Sequence, residues 1–173
     1  AVVFGELINN TGTPQQGVDI SGVFYDRADQ VIRDEIETLS HVPVDIVPVG
    51  AHIPFELVIE SNEPIYRLDL VARSIPASEP PRQDFQFSNV NLSTNDPNMY
   101  CLEGQVQNPG ANLVDSLVIM IVGYNDQGNV VNFGEYSPVA PEGVVGEQRS
   151  PFRMCLDPLE QQITRHELRA VGY

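Results

Sequence analysis

The sequence predicts an all-β fold of two tandem β-sandwiches, and three observations carry the prediction. Short segments rich in β-branched and aromatic residues are separated by Pro, Gly, Asn and Asp turns. Helical periodicity is sustained nowhere. The chain also repeats itself: Gly5-Glu6-Leu7-Ile8-Asn9 matches Gly104-Gln105-Val106-Gln107-Asn108 at an offset of 99 residues. The same offset carries Ile20, Val23, Tyr25 and Val31 onto Ile119, Val122, Tyr124 and Val130. Pro54-Phe55 matches Pro151-Phe152 at an offset of 97. Ile65, Arg67, Leu70 and Ala72 fall on Ile163, Arg165, Leu168 and Ala170 at an offset of 98. Ordered anchors with small drifts are what a duplicated unit leaves once its loops gain or lose residues.

Each unit is then read in order. Val18 to Tyr25 and Leu117 to Tyr124 have the residue types of half- or fully buried strands. Asp26-Arg27-Ala28-Asp29 and Asn125-Asp126-Gln127-Gly128 follow as equivalent turns. Gly128 suits a position with φ > 0, and Asp29 is one of the few other residue types tolerated there. Val31-Ile32 and Val130-Val131 begin the returning strands, and Phe55 to Ile59 and Ile65 to Leu70 give two more. Ser78-Glu79-Pro80-Pro81 reads as an extended linker, because consecutive prolines stiffen the backbone. The predicted organisation is a first sandwich over 1–75, a Pro-rich linker over 76–84 and a second sandwich over 85–173. Asp84-Phe85-Gln86-Phe87 alternates and predicts an additional edge strand that the first unit lacks.

Composition narrows the function. The 173 residues carry 24 Asp+Glu against 9 Lys+Arg, a net charge of −15, and every cation is Arg. Such a chain repels phosphate backbones and anionic lipid, so nucleic acid is not an expected partner. The absence of Lys removes Schiff-base chemistry and the P-loop lysine. No apolar run approaches the ~20 residues needed to span a bilayer, so no direct membrane insertion is expected within this chain. The start lacks a basic segment followed by an apolar one. Either the protein is cytosolic, or the chain is a mature or trimmed form whose export signal is not in this chain.

Candidate sites are few. Cys101 and Cys155, separated by 54 residues, are either a disulfide or two buried thiols, and export favours the bridge. Neither has a Cys or His at metal-ligand spacing. Asp26, Asp29, Asn125, Asp126 and Asn129 place oxygen ligands on equivalent hairpin loops, and calcium is the one cofactor this leaves open. Asp and Asn also serve such turns for backbone reasons. Asn9 and Asn91 begin N-glycosylation triplets. Asn9 matches Asn108, which has no triplet, so a turn role is the stronger reading for Asn9, and Asn91 is the more accessible acceptor. His41, His52 and His166 are dispersed and read as ordinary surface histidines. Arg67 with Asp69, and Arg165 with Glu167, read as solvated ion pairs. No nucleophile elbow, phosphate loop or dinucleotide fingerprint is present.

Gly5-Glu6-Leu7-Ile8-Asn9-Asn10, Gly22-Val23-Phe24-Tyr25-Asp26 and Pro54-Phe55-Glu56-Leu57 together resemble the FxLYD-type domain. The second unit repeats the pattern as Gly104 to Asn108, Gly123-Tyr124-Asn125 and Ser150-Pro151-Phe152. Gly22 and Phe24 stand where that family has Phe and Leu, and Gly123 takes the Leu position in the second unit. The resemblance implies an immunoglobulin-like β-sandwich of exported or surface-anchored prokaryotic proteins, with no catalytic residues assigned to the domain. The expected function is a non-enzymatic extracytoplasmic interaction or structural module. It would assemble through edge strands, with itself or as an accessory subunit. The alternative is a carbohydrate- or calcium-binding surface module.

Overall fold

In a computed structural model, residues 1–33, 38–61, 63–93, 99–113, 115–137, 149–156 and 162–173 are described, and they form strands and turns with no helix among them. The chain divides into two compact units, Ala1–Pro80 and Pro81–Tyr173. The first holds β1 (Val2–Ile8), β2 (Gln15–Tyr25), β3 (Val31–Arg33), β4 (Thr38–His41), β5 (Ile46–Val47), β6 (His52–Ile59) and β7 (Arg67–Pro76). The second holds β8 (Gln86–Ser93), β9 (Tyr100–Gln107), β10 (Leu117–Tyr124), β11 (Val130–Tyr136), β12 (Arg149–Leu156) and β13 (Arg165–Gly172). All pairings are antiparallel.

In the first unit one sheet has the order β1-β6-β4. In the other, β2 has β7 along one side and the short β3 and β5 along the other. Ile20 and Phe24 of β2 meet Phe55, Leu57 and Ile59 of β6 in a buried core. The second unit repeats this arrangement, with β11-β10-β13 facing β12-β9-β8. Its core joins Leu117, Ile119 and Ile121 of β10 to Leu102 and Val106 of β9 and to Phe152, Met154 and Leu156 of β12. Two apolar sheet faces closed on each other in this way are an all-β sandwich.

The repeated Gly and Pro-Phe anchors are two halves of one contact. Gly5 stands opposite Phe55 in the ladder, and a Cβ on Gly5 would lie 2.6 Å from the ring. Gly104 stands opposite Phe152 in the same way, with 3.0 Å to the ring. Any side chain at the glycine would displace the aromatic residue from the core. The hairpins also match bond for bond. Asp29 has φ 61° and Gly128 φ 81°, and their amides donate to the carbonyls of Asp26 and Asn125, each at 3.1 Å.

Three boundaries differ from the sequence expectation. The strand expected over Ile65 to Leu70 begins at Arg67 and runs on to Pro76 as β7. The stretch expected as a linker over 76–84 is tied at both ends. Pro76 pairs with Gln15 and the Ala77 amide donates to Pro14, while Arg82 exchanges two backbone hydrogen bonds with Gly172 at 2.8 and 3.0 Å. Phe85 belongs to the second core, and the edge strand β8 starts one residue later.

Candidate functional site

Cys101 and Cys155 lie directly opposite each other on β9 and β12, with Cα atoms 4.0 Å apart and sulfurs at bonding distance, 2.07 Å. They alternate with the core residues Leu102 and Met154, so the bridge lies on the sheet face opposite that core, with Cys101 buried and Cys155 half-buried. In the first unit the same ladder position holds Val2 opposite Val58, which are 48% and 37% exposed. Leu39 of β4 extends that row beside Val58. One unit therefore carries a covalent cross-strand tie where the other carries an exposed apolar pair.

Of the five hairpin residues proposed as cation ligands, Asp26 and Asn125 have an oxygen taken up by their own turns, while Asp126 and Asn129 are exposed. Asp26 Oδ1 accepts from the amides of Ala28 and Gln30, both at 2.8 Å. Asn125 Oδ1 accepts from Gln127 and Asn129 at 3.0 and 2.9 Å. Asp29 points instead to the Arg67 guanidinium at 2.9 Å. Among the described residues no group of three or more His, Cys, Asp or Glu side chains is placed to hold a metal.

The two sequon asparagines have different fates. Asn9 is 4% exposed, donates to the carbonyls of Thr13 and Val47 at 2.8 and 3.0 Å, and accepts from the Thr11 amide at 3.1 Å. Asn108 is buried in the equivalent place, bonded to Ala111 and Gly110. An enclosed, bonded amide offers no room for a glycan, so Asn9 is a structural corner. Asn91 is exposed on β8, its amide donating to the Asn89 carbonyl at 2.9 Å.

Sequence reading identified the ion pairs but missed the ring beneath them. Arg67 bonds Asp69 and stacks 3.5 Å over the Tyr25 ring, while Arg165 bonds Glu167 and stacks 3.9 Å over Tyr124. The Tyr and Arg anchors of the repeat are thus one cation–π unit on neighbouring strands. The missed signal was available, since Tyr25 pairs with Tyr124 and Arg67 with Arg165 in the repeat. Arg67 lowers the pKa of Asp69 through a hydrogen bond, and Arg169, then Arg165, do the same to Glu167. His166 is partly buried, its Nδ1 at 2.7 Å from the Tyr100 hydroxyl, and burial pushes its pKa below the usual value. His41 and His52 are exposed.

The largest difference between the units lies in β7 and β13. β7 is exposed along almost its whole length and pairs only with β2 among the described strands. Leu68, Val71 and Ile75 on it are 39%, 51% and 60% exposed. Its counterpart β13 ends in three buried residues, and Arg82 pairs with Gly172 at that end. Arg82 is itself fixed by Asp84 at 2.9 and 3.0 Å and by the Ala111 carbonyl at 2.7 Å. On the second unit a cleft of about 540 Å³ is lined by Asn89, Asn91, Glu103, Gln105, Arg153 and Tyr136, among others. Compared with known proteins, the chain matches no family, no curated protein and no solved structure.

Proposed function

We propose that this chain is a non-enzymatic, extracytoplasmic interaction module, two FxLYD-type, immunoglobulin-like sandwiches that bind protein partners by strand addition. The observation that carries this reading is β7, an edge strand with three exposed apolar side chains. An open edge presents a row of main-chain donors and acceptors that another extended chain can pair with. The Cys pair supports an oxidising compartment, where such bridges persist. Asp26 and Asn125, two of the candidate cation ligands, each have a side-chain oxygen engaged in their own turns, and Asp69 pairs with Arg67. Crosslinking the protein in its native cell fraction tests the reading, with bound chains expected at residues 67–76. A protein that crosslinks to nothing there contradicts it. Alkylation of unreduced native protein tests the compartment: no reactive thiol is expected, and two would count against export.

A second reading, carbohydrate binding, is favoured by the cleft on the second unit. Its amides, carboxylate and guanidinium can hydrogen-bond sugar hydroxyls, and Tyr136 offers a ring edge or face. Glycan-array binding that is lost in Gln105→Ala would establish it, and a blank array would remove it.

A further inference from the structure

The edge of β7 is complementary to itself. Leu68, Leu70 and Ala72 lie opposite Phe24, Gly22 and Ile20 on the core side, so Arg67, Asp69, Val71, Arg73 and Ile75 share the outward face. If two β7 strands run antiparallel about a two-fold axis at Val71, each Asp69 faces Arg73 of the other copy. Val71 then meets its own equivalent and Arg67 lies beside Ile75. Directly opposed unlike charges and apolar pairs are what stabilise a cross-strand contact, and like charges in that place oppose it. Moving the axis one pair along β7 in either direction loses this match. Centred on Leu70 the register opposes Arg67 to Arg73, and centred on Ala72 it loses both Asp69–Arg73 pairs and sets Val71 against Arg73.

We infer that the occupant of this edge is a second copy of the same chain, joined β7 to β7 about Val71 into one continuous antiparallel sheet. The inference rests on the interaction-module reading and names its partner. A net charge of −15 opposes indiscriminate association, so pairing is confined to a patch whose own charges are matched. The second unit carries the opposite design at the same place. The counterpart of Val71 is Arg169, which the same two-fold would set against its own copy, and the end of β13 is already filled by Arg82. The second unit is guarded against the contact that the first unit permits.

A charge-swap experiment decides the matter. Asp69→Arg leaves two cations on the outward face facing two cations, and Arg73→Asp leaves two anions facing two anions. Each variant alone is expected to weaken self-association about tenfold or more in sedimentation velocity. Mixed together, the two variants restore every opposed pair, so they are expected to form a heterodimer as tight as the parent dimer. That rescue also shows that neither variant has failed to fold. Val71→Arg, which copies the guarded residue of the second unit, is expected to be monomeric and folded. A parent protein that stays monomeric up to about millimolar concentration overturns the inference. Self-association that both single variants retain overturns this register while leaving the interaction-module reading in place.

Discussion

Cys101–Cys155 in the second unit and Val2–Val58 in the first occupy one ladder position, and the units differ in the same sense at their outer strands. The second unit fills β10 with buried residues along its whole length, bridges β9 to β12 covalently and closes the end of β13 with Arg82. The first keeps the same sandwich core but leaves Val2 and Val58 exposed, as well as Leu68, Val71 and Ile75 on β7. Duplication explains the shared core, since Gly against Phe, Tyr under Arg and Asp or Asn across the hairpin recur in both. The difference teaches that the core anchors were held while the periphery took two directions, one toward covalent closure and one toward an open edge.

The largest expected effect comes from removing the bridge. Cys101→Ala with Cys155→Ala frees a loop of 54 residues, a loss of about 4 kcal/mol in the chain-entropy account. Calorimetry should show the transition of the second unit falling while that of the first stays in place; a fall shared equally by both would break the comparison. The reciprocal change is the next largest. Val2→Cys with Val58→Cys should oxidise without rearrangement, because the two positions are already opposed in the ladder. It should raise the stability of the first unit by up to about 4 kcal/mol under oxidising conditions. Failure to crosslink would mean that the two ladders are not equivalent.

Smaller effects separate the two Gly–Phe contacts. Gly5→Ala places a methyl 2.6 Å from the Phe55 ring and should destabilise by about 1–3 kcal/mol in urea unfolding. Gly104→Ala meets Phe152 at 3.0 Å and should be measurably milder. The smallest effect is a pH dependence that His166 gives the second unit. Burial lowers the His166 pKa below its value of 6.5 in the unfolded chain. Above that value the ring is neutral in both states and contributes nothing to the slope. As pH falls below it, the unfolded chain binds the proton first, so folding stability declines until the folded ring also protonates. Between about pH 7 and pH 5 the decline should be present in the parent and flattened in His166→Gln.

Much of the fold was legible in the sequence because local and long-range signals agreed. Leu117 to Val122 is an apolar run within a segment whose residue types suit a half- or fully buried strand, and β10 is buried at every position. Asp29 and Gly128 announced left-handed turn residues, and both have positive φ. The extent of β7 was not legible, because Pro76 falls in the stretch read as a linker and the strand is held there by pairing with Gln15 and Gln16, residues far away in sequence. The tie from Arg82 to Gly172 was hidden for the same reason: it joins residues far apart in sequence through backbone groups alone. The edge needed both sheets in view, since Asp69 and Arg73 can be set against each other between two copies only once β7 is known to be unpaired on one side among the described strands. The equivalence of Val2 and Val58 with the cysteines was present in the repeat offsets and needed only to be carried to the ends of the strands.

Hydrogen exchange measured across a range of protein concentrations tests the central claim most directly, because it reads the amides of the two outer strands separately in one sample. Amides in residues 67–76 should gain protection as concentration rises, while those in 165–172 keep the same rates throughout. Exchange in 67–76 that ignores concentration, or protection that arises in 165–172 instead, would contradict the account.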